Sequence, residues 1–288
     1  ALCRMGSDGN FTLQVGVSDI SGVSTSLKMI APEVLGLEAD KITIVLLDTD
    51  AAPYAGGSGG SKTLYTVGAA VQRAAEDAAE QIKRIAATEL EAAPADIELK
   101  GGKASVRGLP SRSVDFLTIA KRSFSRTTPV LGNGASARHH QAPGFAAHLA
   151  KVKVDRETGD IKILDYVATQ DVGRAINPAE VEGQVQGGAT QGLGWALYEQ
   201  LVYSEEGTLL SGSLMDYTVL NAPQVPNFDT ILVEVGSPDG PYGARGVGEP
   251  PVIPGGGTIN SAVFDAVGVH LTEIPMTPER VINALSGK

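Results

Sequence analysis

One cysteine, Cys3, stands in the whole chain of 288 residues. A single thiol excludes a disulfide framework, a cysteine-based zinc site and an iron–sulfur cluster held within this chain, and it fits a reducing compartment. Histidine is scarce too: the four are His139, His140, His148 and His270, whose spacing has no pattern for metal ligation. No apolar run reaches the roughly 18 residues of a membrane span. The start, Ala1-Leu2-Cys3-Arg4-Met5-Gly6, lacks the long apolar centre of a secretory signal, so a cytoplasmic protein is expected. Positive charge is short, with 23 Lys and Arg against 33 Asp and Glu and a net charge of −10. Such a polyanion, its cations scattered, repels phosphate backbones and makes nucleic acid an unsuitable partner. No arrangement of Ser, His and Asp announces a hydrolase. The chain also lacks an initiator Met, and the expectation is a fragment, a processed piece or one gene of a split subunit.

Apolar residues make up 42% of the chain, enough for one large core or two smaller ones. Period-two alternation predicts a strand over 11–17, and Leu27, Ile30, Ala31 and Val34 predict a helix over 24–35 that stops at Gly36. A strand over 41–47 follows. The longest helix is expected over 67–91, where Val71, Ala74, Ala75, Ala78, Ile82, Ile85, Ala86 and Leu90 form one stripe; its many alanines predict close packing on a sheet. A hairpin is expected over 97–106, turning at Gly101-Gly102. Periodicity is weak over 121–143, which marks the expected boundary between two lobes, 1–130 and 131–288. Strands are then expected over 147–154, 161–169, 209–220 and 228–235, with helices over 178–200, over 258–267 and after Thr277-Pro278. The pattern is α+β, in two lobes with mixed sheets packed by helices.

Three segments carry the chemistry-bearing residues. Ala55-Gly56-Gly57-Ser58-Gly59-Gly60-Ser61-Lys62-Thr63 precedes the long helix, where backbone amides favour anions and glycine lets a ligand come close. It fails the phosphate-binding P-loop pattern because Ser61 stands where that pattern has Gly; it reads as either a ligand loop or a solvated loop. The helix over 178–200 contains five glycines (183, 187, 188, 192, 194), each costing about 1 kcal/mol relative to Ala. Such a helix survives when its face is pressed against a backbone or a ligand. Gln184 and Gln191 lie on one face of it, their amides suited to a heterocycle edge or merely exposed on a tightly packed helix. In Gly243-Ala244-Arg245-Gly246-Val247-Gly248-Glu249-Pro250-Pro251, the glycines permit unusual dihedrals beside a ligand and the prolines stiffen the chain. Glu249 is either a base prepared for proton transfer or a residue of an exposed turn. Asp48 and Asp50 read as a solvated loop, and Asp171 as ordering its own turn.

These segments, in order from Gly9 to Leu285, resemble the molybdenum hydroxylases, the family of xanthine dehydrogenase, aldehyde oxidase and carbon monoxide dehydrogenase. The landmarks are Val17–Gly22, Leu35-Gly36, Asp48-Thr49-Asp50, the Gly-Ser loop, Val154–Gly159, Asp171–Pro178, Glu182-Gly183-Gln184, Gln191–Gly194 and Gly246–Pro251. The resemblance is to the carboxyl-terminal half of the large, molybdopterin-binding subunit. It implies that Glu249 is the catalytic base, taking the proton from a molybdenum-bound hydroxide while hydride passes to a sulfido ligand. It places Gly59, Gly60 and Ser61 at the metal and pterin, Gln184 on the dinucleotide extension with Gln191 as a further contact, and Gly246, Val247 and Gly248 beside the cofactor. No side chain of this chain is expected to ligate a metal. The implied cofactor is molybdenum-molybdopterin in its cytosine dinucleotide form. The implied partners are the rest of the large subunit, a 2Fe-2S protein or domain and an FAD protein or domain, in a homodimer of the whole complex. The implied reaction oxidises an aldehyde, an N-heteroaromatic or a similar small substrate with oxygen from water, and the isolated chain is expected to be inactive.

The sequence departs from the family in two places. Ile20-Ser21-Gly22 stands where many relatives have Gly-Gln-Gly, removing an expected pterin contact, and the family's upstream half is missing. A different class therefore stands beside the enzyme: a non-catalytic scaffold or binding protein that keeps the fold.

Overall fold

The computed structural model describes residues 1–46, 48–126, 128–136 and 142–287. They form two compact units, interleaved in sequence. The first comprises Ala1–Ala142, Gly173–Asn177 and Gly236–Gly246; the second comprises Pro143–Val172, Pro178–Val235 and Val247–Lys288. Both mix helices with sheets, and the class is α+β as expected.

The first unit is built on a four-stranded sheet in the order β3-β2-β1-β7. Its strands are β1 (Leu2–Met5), β2 (Phe11–Val15), β3 (Ile42–Leu46) and β7 (Leu131–Asn133). Phe11, Leu13 and Val15 alternate into the core. Because β2 and β3 are parallel, a crossover must join them. Helix α1 (Val23–Leu35) supplies it, burying Val23, Leu27, Ile30, Ala31 and Leu35. Helix α2 (Thr63–Glu89) lays its alanine stripe on the sheet. A β-carbon at Gly132 would lie 1.9 Å from the Ala74 carbonyl oxygen, and one at Gly134 would lie 2.0 Å from that of Ala70. Strand and helix thus touch backbone to backbone, which is why alanine and glycine dominate this seam. The expected hairpin forms from β4 (Ile97–Lys100) and β5 (Lys103–Val106), and β6 (Leu109–Asp115) extends it.

Four elements of this unit have no counterpart among the sequence expectations: β1, β6, β7 and helix α3 (Phe116–Arg126). Within α3, Phe116, Ile119, Ala120 and Ser123 are buried at helical spacing. The run is short and interrupted by Thr, Ser, Lys and Arg, so its period is faint. The stretch expected to separate two lobes therefore begins within a helix, and β7 beyond it pairs with β1.

The second unit has a three-stranded sheet, β10-β9-β8, formed by β8 (Ala146–Val154), β9 (Ile161–Asp171) and β10 (Phe228–Val233). Strands β8 and β9 are antiparallel, joined through a turn whose Asp155 carboxylate accepts the Glu157 and Thr158 amides. Strand β10 runs parallel to β9, so its connection again includes a helix, α4 (Pro178–Leu197). Helices α4, α5 (Gly255–Val267) and α6 (Pro278–Leu285) close the core around Tyr166, Ala168, Val185, Ala189, Leu193, Ile259, Val263 and Val281. As expected, Pro278 begins α6, and Thr277 caps it by accepting the Arg280 amide.

The strand expected over 209–220 does not form. One isolated bridge joins Tyr203 and Leu209, and Ser213–Tyr217 make a turn. Leu214 and Met215 are 82% and 93% exposed. The apolar residues are there, but among the described residues of this segment no extended strand supplies the ladder a strand requires.

Candidate functional site

In the first unit, the Gly-Ser loop leads directly into α2. Ser58 and Thr63 share a hydroxyl–hydroxyl hydrogen bond of 2.9 Å, tying the loop to the first helical residue. Gly60 and Ser61 both take left-handed backbone, with φ of 69° and 53°. For Ser61 that conformation costs energy a glycine would not lose, and such residues cluster at functional positions. Lys62, at the head of α2, makes no side-chain cap, so the positive end of the helix dipole is not quenched there by a capping side chain. Among the described residues, apart from their chain neighbours, no atom lies within 4 Å of where β-carbons would stand on Gly59 and Gly60. Gly246 joins this loop: its β-carbon would lie 2.7 Å from the Ser61 carbonyl oxygen. Unusual dihedrals, expected of the Gly246 region, do not explain Gly246, whose φ is ordinary. Its missing side chain is what allows the contact.

In the second unit, the glycine-rich helix α4 presses one face against the Glu249 turn. A β-carbon on Gly188 would meet the Gly248 carbonyl oxygen at 2.9 Å and the Pro251 ring at 3.0 Å; one on Gly192 would meet the Val252 carbonyl oxygen at 2.4 Å. The helix survives its glycines because backbone packs there. Among the described residues outside the helix's own backbone, nothing stands within 4 Å of a β-carbon position on Gly183 or Gly187. Gln184 lies half-buried and Gln191 exposed along α4, while Gln186 is engaged with the Thr230 hydroxyl at 3.3 Å.

Glu249 heads a single helical turn formed by Pro250, Pro251 and Val252, and its carbonyl accepts the Val252 amide at 3.0 Å. Pro251 and Val252 are buried beneath it. The Glu249 residue itself is exposed. The turn combines two fixed proline φ angles with a packed helix below, so the carboxylate stands on rigid backbone.

The remaining candidates are structural. Asp48 Oδ1 accepts the Asp50 and Ala51 amides and so caps its own turn. Asp171 does more than order its turn: it is buried, and its Oδ1 accepts the Val235 amide, linking the ends of β9 and β10. The signal for it was a lone acid at the end of an apolar strand. His270 stacks on Phe264 with centroids 4.0 Å apart, and His148 bonds Tyr166 at 2.9 Å. His139 and His140 lie outside the described residues. Among the described residues no three His, Cys, Asp or Glu side chains gather as a protein-held metal would need. Cys3 is buried on β1 with its thiol pushed up to about 12 by desolvation, so it acts as a small apolar residue.

The family model of the molybdopterin cofactor-binding domain matches residues 1–226. The chain belongs to this family, within the molybdenum hydroxylases. Among its relatives, the gamma subunit of the 6-hydroxypseudooxynicotine dehydrogenase complex of Paenarthrobacter nicotinovorans is 34% identical, over 97% of the chain and 36% of the relative. The carbon monoxide dehydrogenase large chain of Hydrogenophaga pseudoflava is 32% identical over 99% of the chain and 35% of the relative. The crystal structure of quinoline 2-oxidoreductase from Pseudomonas putida 86 superposes with a TM-score of 0.93 at 28% identity, covering 100% of this chain and 38% of that one. The chain thus spans little more than a third of the length of these relatives. Among its described residues, no helix is long and apolar enough to cross a membrane.

Proposed function

We propose that this chain is the cofactor-binding part of a molybdenum-dependent hydroxylase or dehydrogenase, with Glu249 as its catalytic base. The observation that carries the reading is the seat of Glu249: an exposed carboxylate on a proline-fixed turn pressed against Gly188 of α4. A base must be held in place, and the proline-fixed turn with the packed helix beneath it meets that condition.

The residues present fit a pterin cofactor. Gly59 and Gly60 offer open backbone at the head of α2, and Ser61 adds a hydroxyl beside them. Gln184 and Gln191, with Gly183 and Gly187 leaving room on α4, would hold the dinucleotide extension in its cytosine form. Gly246, Val247 and Gly248 would line the approach to Glu249. When bound, the molybdenum cofactor supplies a two-electron oxidation in which the inserted oxygen comes from water. The chain's own part is to orient the cofactor by backbone and amide contacts and to accept one proton at a Glu249 carboxylate oxygen. Both units act as molybdopterin-binding lobes in this reading. The rest of a large subunit, a 2Fe-2S protein or domain and an FAD protein or domain complete the enzyme, as a homodimer in the cytoplasm. The substrate is an aldehyde, an N-heteroaromatic or a similar small molecule.

In the complete complex, Glu249→Gln is expected to lower kcat by about 10²–10⁴-fold, the range of general base catalysis, with molybdenum content unchanged by metal analysis. Full turnover in that variant would end the assignment.

A further inference from the structure

Among the described residues, two buried side-chain polar atoms have no hydrogen-bond partner: His148 Nε2 and Gln170 Oε1. They belong to one place. In the β8–β9 ladder His148 pairs with Ala168 and Ala146 pairs with Gln170, so His148 and Gln170 are diagonal neighbours on one face of the sheet. Diagonal partners stand about 7–8 Å apart at the backbone, within reach of long side chains. Gln170 is 0% exposed, and an amide oxygen left bare at that depth is costly.

Hydrogen bonds join the neighbours of His148 into a series. The Thr258 side chain hydrogen-bonds the Tyr166 phenol, and the phenol and His148 Nδ1 are joined at 2.9 Å, the donor following the imidazole tautomer. Burial holds the His148 pKa below its usual value. A water both donates and accepts, so a single water can serve Nε2 in either tautomer together with the Gln170 oxygen on the diagonal position.

The cluster adjoins the Glu249 turn. The Gln170 carboxamide nitrogen bonds the Asp171 carbonyl at 3.2 Å. A β-carbon on Gly144 would lie 3.4 Å from that nitrogen and 3.5 Å from the Pro250 ring. Gln170 and the proline following Glu249 therefore flank the same glycine. We propose that one water molecule bridges His148 Nε2 and Gln170 Oε1, and that the series Thr258–Tyr166–His148–water–Gln170 props the turn bearing Glu249. This makes Gln170 and His148 positioning residues; the water site stands without the base assignment, whereas its effect on turnover rests on it.

The test is a high-resolution structure of the full chain together with a double-mutant cycle. A water within hydrogen-bond distance of both atoms is expected, and a direct Nε2–Oε1 contact, or no density between them, would overturn the proposal. Gln170→Met and His148→Leu should each lower Tm, and the double variant should lose less than the sum of the two, because either change alone strands the same water. Additive losses would count against a shared site. Hydrogen exchange at the Val252 and Ile253 amides, which close the turn on the Glu249 and Pro250 carbonyls, should quicken several-fold in Gln170→Met; unchanged exchange would refute the propping role. None of these readouts involves turnover, so they fail or succeed independently of Glu249→Gln.

Discussion

Asp171 is a carboxylate with a neighbour sixty-four positions away: its Oδ1 accepts the Val235 amide at 3.1 Å in a buried setting. A hydrogen bond to a charged group contributes about 1.5–3 kcal/mol. Asp171→Ala should therefore lower the urea unfolding free energy by about that amount, with an unchanged midpoint as the contrary result. At this scale the sequence showed which residues were unusual but not their partners. Glu249 stood out because glycine and proline flank it, a local property of the chain. The bond between Asp171 and Val235, the contact of Gly246 with Ser61 and the diagonal of His148 and Gln170 all depend on which strands and loops meet. Ser61 illustrates the same limit: its identity was plain, its left-handed φ of 53° was not.

Helices with strong periods were legible. The alanine stripe of α2 implied a sheet beneath it, and the glycines of α4 implied a backbone or a ligand against it. The sheet and a backbone are found, in Gly132 and Gly134 of the first unit and in Gly248, Pro251 and Val252 of the second. The α2 seam gives a direct prediction. Gly132→Ala places a methyl 1.9 Å from the Ala74 carbonyl oxygen, and backbone cannot rotate aside as a side chain does. The expected destabilisation is about 1–3 kcal/mol, the range for overpacking, read by chemical denaturation; a neutral variant would mean that β7 shifts freely on α2. Weak or short periods were not legible. Helix α3 was hidden by its polar residues, β7 by its three-residue length, and the apolar run over 209–220 misled because alternation alone does not provide a strand to pair with.

For the whole molecule, the share of the relatives that this chain covers, 36% and 35% in the two sequence comparisons, matters most. The cofactor contacts proposed on α2 and α4 are backbone, hydroxyl and amide groups, with no cluster of metal-ligating side chains among the described residues. Such contacts grip a large cofactor only when it is enclosed. The purified chain should accordingly contain no molybdenum by metal analysis and acquire it when coexpressed with the remainder of a large subunit. Stoichiometric molybdenum in the lone chain would refute the need for that partner. By itself the sequence determined the α+β class, the long helices, the family and the identity of the chemically marked residues, because hydrophobic period, glycine clustering and motif order are local and additive along the chain. Tertiary structure alone decided how those elements interleave into two units, which glycines meet backbone, and what Asp171, His148 and Gln170 touch. Those outcomes depend on strand register and helix crossings between segments far apart in sequence, and no local pattern encodes them.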